Sequence, residues 1–314
     1  MKKKISATGL SYAVNKGGKT CRIVGIGTYD QKELFIPDTI DGYKVESIAN
    51  EAFRDCAELV SAEITDGVIY IGAEAFCGCS ALACVKIPDS VTEIGWGAFL
   101  GCDSLSDISL GKGVKEIGAS AFCGCKGRVE IPAKTAFIGE QAFAGLSEIA
   151  VSEGNPFFAS ADGNLYNKNG DTLLQYATGK EELIFHLPEG VKNIGNFAFA
   201  GAKRLSAIHI GENLKTVGSN AFSGCSLLWA AVFPEGLQIL GDSAFCGCDS
   251  LCAVAVGKKT DIGRGAFDDC PKLRRVQRKG KMPLWKKVLY GKRHKKDSPY
   301  REFKCKNWLF QFRF

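Results

Sequence analysis

Residues 84–125 read CVKIPDSVTEIGWGAFLGCDSLSDISLGKGVKEIGASAFCGC. One phrase occurs twice in this stretch. Ile94-Gly95 returns as Ile117-Gly118, and Ala98-Phe99 returns as Ala121-Phe122, each 23 residues later. A fixed period of about 20–50 residues marks a chain of stacked supersecondary units, so it decides the fold before any single element is assigned.

Outward from this stretch, Ala-Phe recurs at 52–53, 75–76, 98–99, 121–122 and 142–143, then at 198–199, 221–222, 244–245 and 266–267. The steps are 23, 23, 23 and 21 residues in the first block and 23, 23 and 22 in the second. About nine units therefore share one grammar. A first strand column holds Ile64, Ile87, Leu110, Ile131, Val151, Leu187, Ile210, Phe233 and Val256. A second holds Ile71, Ile94, Ile117, Ile138, Ile194, Val217, Leu240 and Ile262, each followed by Gly. Pro37, Pro88, Pro132, Pro188 and Pro234 close the first strand, since proline cannot donate to a continuing ladder. The Gly after the second column permits a tight bend where a side chain would clash. The run Ala-Phe-x-Gly-Cys is predicted as one short helical or 3-10 turn that tucks Phe inward. No unit can bury its Phe, aliphatics and Cys alone. Stacked copies about 4.8 Å apart on a parallel ladder close that core.

The stretches IPDSVTEIGWGAFLGC (87–102), LPEGVKNIGNFAFAGA (187–202) and FPEGLQILGDSAFCGC (233–248) resemble the BspA-type leucine-rich repeats, also called the Treponema pallidum type. The resemblance spans roughly residues 5–278. It departs from the pattern at Lys126, where a Leu is expected, and at Ile48-Ala49-Asn50, which lacks the Gly. It implies a leucine-rich-repeat solenoid of parallel β-sheets, capped at both ends. It also implies an adhesion or host-binding module on a microbial surface, and it carries no catalytic residues across.

The repeat sets five segments. Residues 1–43 read as an N-terminal β cap, needed because an uncovered first repeat would meet water. Residues 44–151 and 183–278 are the two repeat blocks. Between them, 152–182 break phase. Leu165-Tyr166-Asn167 and Thr172 to Tyr176 flank Lys168-Asn169-Gly170-Asp171, which reads as an inserted β-hairpin. Its Asn155, Asp162, Asn164 and Asp171 lack the spacing of a calcium loop and suit turns instead. Residues 279–314 form a basic, aromatic tail or cap. There Trp308, Phe310, Phe312 and Phe314 alternate as in a strand.

Charge divides the same way. Residues 272–314 carry 16 Lys/Arg against Asp297 and Glu302, whereas residues 1–271 hold 24 Lys/Arg and 32 Asp/Glu. Lys286, Lys287, Lys292, Arg293, Lys295 and Lys296 are the candidate contacts to an anionic partner: nucleic acid, acidic lipid or cell-wall polymer. The same tail also reads as a cap with solvated lysines, or as a disordered segment.

Fourteen cysteines are present. Cys56, Cys79, Cys102, Cys125, Cys225, Cys248 and Cys270 share one repeat position, which predicts a column of buried thiols. Three Cys-Gly-Cys motifs, at 77–79, 123–125 and 246–248, lack the second half of a zinc site. No cofactor or metal is expected. His186 and His209 fall in one column, 23 residues apart, and Val232 continues it. With Trp229 and Cys252 they form the candidate partner-binding face, whose first-block counterparts Glu63, Lys86, Ser109 and Glu130 are more polar.

No nucleophile elbow, phosphate loop or zinc-protease motif occurs, so catalysis and a small-molecule substrate are not expected. A protein or glycan partner is. No apolar run is long enough to span a membrane. The basic start MKKKI is followed by no apolar core, so a secretion signal is not expected. That absence and the thiol column favour the cytoplasm, against the surface display implied by the resemblance.

Overall fold

The computed structural model describes residues 3–279. A full coil contributes a first strand, a second strand and an Ala-Phe turn, and coils stack one period apart. Sheet I has nine strands. Its second-column members include Tyr43–Ile48, Tyr70–Ile71, Glu93–Ile94, Glu116–Ile117 and Phe137–Ile138. Sheet II is the first column of the same half: Glu33–Ile36, Ser61–Ile64, Cys84–Lys86, Asp107–Ser109, Arg128–Ile131 and Glu148–Val151. All its pairings are parallel and in register, with Asp107 beside Cys84 and Ser109 beside Lys86.

Sheet III carries the second column of the C-terminal half. It runs through Phe158–Ala161, Asn164–Asn167, Thr172–Gln175, Asn193–Ile194, Thr216–Val217, Ile239–Leu240 and Asp261–Ile262. Sheet IV is the matching first column: Ile184–His186, Ala207–His209, Ala230–Val232, Ala253–Gly257 and Arg275–Lys279. Six and five first-column strands make eleven coils among the described residues. Two of these lack the Ala-Phe pair that defines nine units in the sequence.

At the N-terminus, Ser11–Val14 and Thr20–Gly25 pair antiparallel, and the second of these lies parallel to Tyr43–Ile48. This layer buries Leu10, Tyr12, Cys21 and Ile23 against the first coil.

The Ala-Phe segments are turns, and no helix occurs among the described residues. This corrects the expected helical or 3-10 turn. The residue before Ala-Phe adopts a left-handed conformation even where it is not Gly: φ is 54° at Glu74, 55° at Ser120, 55° at Asn220 and 52° at Ser243. A left-handed residue breaks a right-handed helix. Backbone donors then alternate. Cys77 N bonds Glu74 O three residues back at 3.1 Å, while Phe76 N crosses to Ala98 O of the next coil at 2.7 Å. The turns thus make a third ladder joining coil to coil.

The Phe rings stack along the axis. Centroids are 5.0 Å apart from Phe53 through Phe76 and Phe99 to Phe122, and 4.8 Å apart between Phe199 and Phe222. Each is fully buried, which contributes about 1.5–3 kcal/mol per ring. Between the blocks, Tyr176 takes the Phe place. Its ring lies 5.0 Å from that of Phe199, and its N–H donates to Ala198 O at 2.8 Å. Gln175 Oε1 accepts from Phe143 N at 3.2 Å on the other side. Leu165 and Ala177 pack in the N-terminal core, whereas Tyr166, Leu173 and Tyr176 pack in the C-terminal core. The phase break is where the two stacks are spliced.

Candidate functional site

Strand alternation assigns each residue of sheet IV to a side. Ile208, Ala231 and Val254 enter the core, so their neighbours point away from it. The outward positions are Ile184, His186, Ala207, His209, Ala230, Val232, Ala253, Ala255, Arg275 and Gln277. Among those whose side chains are described, Arg275 carries a formal charge. In sheet II the same positions hold Glu63, Lys86, Asp107, Arg128 and Glu130, and Lys86 pairs with Glu63 at 3.0 Å. One face is thus mostly charged and polar, with Phe35 exposed on its first strand. The other, built from the same unit, is apolar and imidazole-bearing.

The parallel register sets His186 beside His209. Their rings stack with centroids 4.3 Å apart and 10° between planes. Burial, then the neighbouring His186, lowers the His209 pKa below its ordinary value, because a charge there would be poorly hydrated and repelled. Val232 continues the column and is 42% exposed. Trp229 and Cys252 immediately precede their strands, at the rim of this face. The exposed Cys252 thiol donates to Trp229 O at 3.2 Å. Alternation gives them the opposite parity from His209 and Val232, so the five candidates form a face and its rim rather than one column. Lys286, Lys287, Lys292, Arg293, Lys295 and Lys296 lie outside the described residues.

Ala207, Ala230, Ala253 and Ala255 fill the space between the larger candidates; sequence reading had placed Ala230, Ala253 and Ala255 on this face and passed over Ala207. The available signal was the loss of charge at alternate strand positions after residue 183.

The cysteines form a bonded ladder. Cys79, Cys102, Cys125, Cys225, Cys248 and Cys270 each donate to the carbonyl of a Phe in the preceding coil, at 3.0–3.3 Å. Burial pushes the Cys125 and Cys248 thiols up to about 12. Protonated, bonded thiols are poor nucleophiles and poor ligands. Among the described residues no group of three or more His, Cys, Asp or Glu could hold a metal ion. None of the helices needed to cross a membrane occurs there either.

The family model for the BspA type leucine rich repeat region matches six copies, over residues 30–150 and 180–287. No curated protein matches the chain. Among solved structures, a leucine-rich repeat protein from Bacteroides ovatus is 29% identical with a TM-score of 0.61, covering 85% of this chain and 69% of that one. The pneumococcal vaccine antigen PcpA is 20% identical with a TM-score of 0.60, covering 88% and 87%. A leucine-rich repeat protein from Eubacterium ventriosum is also 20% identical at 0.60, covering 88% and 79%. The last two share the fold alone. The repeat, the parallel coil stack and the family match together place this chain in the BspA type leucine-rich repeat family.

Proposed function

We propose that this chain is a non-catalytic binding scaffold that takes a protein partner on the outward face of sheet IV. The observation that carries the reading is the contrast between its two first-column faces. Sheet II spends its outward positions on charges such as Glu63, Lys86 and Arg128, while sheet IV presents Ile184, His209, Ala230 and Val232. A soluble protein keeps such a contiguous apolar face for contact. Coil stacking holds it rigid, so little ordering entropy opposes docking.

A pull-down with the purified full chain tests this. The expected result is a protein retained at high salt and lost from a Val232→Glu variant. Retention that falls with salt and ignores Val232→Glu overturns it, in favour of anion binding through Lys286, Lys287 and Lys292 to Lys296.

A further inference from the structure

We propose that the open edge of Glu33–Ile36 docks an extended peptide as one further parallel strand of sheet II, and that the Tyr29 hydroxyl is the latch closing this edge in the lone chain. The site is separate from the outward face of sheet IV and does not depend on it.

The two sheets of the N-terminal half end differently. Sheet I continues past its first coil into Ser11–Val14 and Thr20–Gly25. Sheet II stops at Glu33–Ile36, which pairs with Ser61–Ile64 on one side and, among the described residues, with no strand on the other. Lys32 O accepts from Val60 N–H at 2.7 Å, and Ile36 O accepts from Thr65 N–H at 3.1 Å. Main-chain groups alternate in direction along a strand. Those of Glu33 and Phe35 therefore turn the other way, to the open edge. Such an edge is a template for strand addition.

Tyr29 occupies that template. Its hydroxyl donates to Glu33 O at 2.6 Å and accepts from Phe35 N–H at 3.4 Å. In a parallel ladder one residue of the added strand makes this same pair of bonds. Its N–H reaches the first carbonyl, and its C=O reaches the amide two residues on. The hydroxyl thus stands in for one residue of a preceding strand. It is a poor substitute, because one oxygen serves both groups and 3.4 Å is longer than a good N–H···O bond. A peptide residue offers two separate groups and can displace it.

Side chains set the chemistry of the peptide. Leu34 and Ile36 enter the core, so Glu33 and Phe35 point outward. Both are exposed, Phe35 to 49%. An added strand lays one residue beside each. Cross-strand pairing favours a cation beside Glu33 and a β-branched or aromatic residue beside Phe35. The docked segment therefore reads basic, any, apolar.

The probe is the capped pentapeptide Thr-Lys-Ala-Val-Thr, whose central residue makes the two main-chain bonds. Binding is followed through the amide resonances of the full chain. Tyr29→Phe keeps the ring and removes the hydroxyl. It should bind the peptide several-fold more tightly than wild type, with a shift of the Phe35 amide. The same peptide N-methylated at Ala lacks the donor and should not bind. Nor should the plain peptide bind Tyr29→Phe/Phe35→Pro, which loses only an outward N–H and keeps the pairing with Ser61–Ile64. Should Tyr29→Phe fail to fold, wild type at millimolar peptide carries the test. There the Phe35 amide should shift with the plain peptide and not with the N-methylated one. Equal affinity for wild type and Tyr29→Phe overturns the latch, and binding that survives N-methylation overturns the strand. Self-association of Tyr29→Phe without peptide, seen by sedimentation, gives the edge to a second copy and overturns the proposal.

Discussion

The thiol of Cys79 donates to the carbonyl oxygen of Phe53 at 3.1 Å, across one full coil of the solenoid. The same carbonyl accepts Cys56 N–H from its own turn at 3.2 Å. A Phe carbonyl at the turn faces inward, away from water, and its second lone pair would otherwise go unused. Cysteine is small enough for the column and still carries a donor. This explains why the position holds Cys rather than Ala or Val.

Cys102→Ala removes the thiol that reaches Phe76 O and leaves a small void. The expected loss is about 1–2 kcal/mol, from one modest hydrogen bond and a partly collapsed cavity. A urea unfolding midpoint measures it. Wild-type stability in this variant would show that the bond contributes nothing.

The thiol column also sets an alkaline limit. Cys125 and Cys248 rise from an ordinary value of 9.0 to about 12, chiefly by burial. A group whose folded pKa is raised contributes its stability fully below the unfolded value. It loses that stability as pH climbs through the folded one. The melting midpoint should therefore fall between pH 9 and 12. At pH 8 an alkylating reagent should modify the exposed Cys252 early, and Cys125 and Cys248 only on unfolding.

His209 sets the acid side. Its pKa is lowered by burial and by His186, so its contribution is present above the unfolded value near 6.5 and fades as pH drops below it. Melting midpoints at pH 7.5 and pH 5 should differ. The difference should shrink in His209→Phe, which keeps a ring on His186. An equal drop in both proteins would place the acid sensitivity elsewhere.

The glycine after the second column is required by coil-to-coil distance. A Cβ at Gly118 would sit 2.5 Å from Trp96 N and 2.7 Å from Gly95 C. These are backbone atoms with nowhere to go. Gly118→Ala should cost about 1–3 kcal/mol or more. At Gly195, beside the splice, the nearest atom is Leu173 O at 3.2 Å. Gly195→Ala should be markedly milder, and matched thermal shifts for the pair would refute this account.

The repeat made the Phe and Cys columns legible because identical residues recur at identical steps. His186 stacking on His209 was readable from the same spacing. Two features were not. The left-handed backbone at Glu74 and Ser120 leaves no composition signal, since neither is Gly, and Ala-Phe-x-Gly-Cys then resembles a helical turn. Tyr176 was hidden because its motif reads Tyr-Ala, without the Ala-Phe order, in a segment already out of phase.

Tyr176 gives the sharpest separation of shape from polarity. Its ring stacks 5.0 Å from Phe199 and meets Phe185 edge-on at 5.1 Å, where it continues the Phe column across the phase break. Its hydroxyl is buried and bonds to nothing among the described residues. An unpaired buried hydroxyl carries a desolvation cost that a phenyl ring avoids. Tyr176→Phe should therefore stabilise the chain, by about 1 kcal/mol. Tyr176→Ala should destabilise it by about 3–5 kcal/mol. Because the lost ring sits between two core clusters, this variant should also split the unfolding transition, with the halves melting apart. Hydrogen exchange read separately on Phe143 and Phe199 would show the split. A single transition with uniform protection would mean that Gln175 and Thr178, which bond to Phe143 N and Gly145 N, hold the splice without the ring.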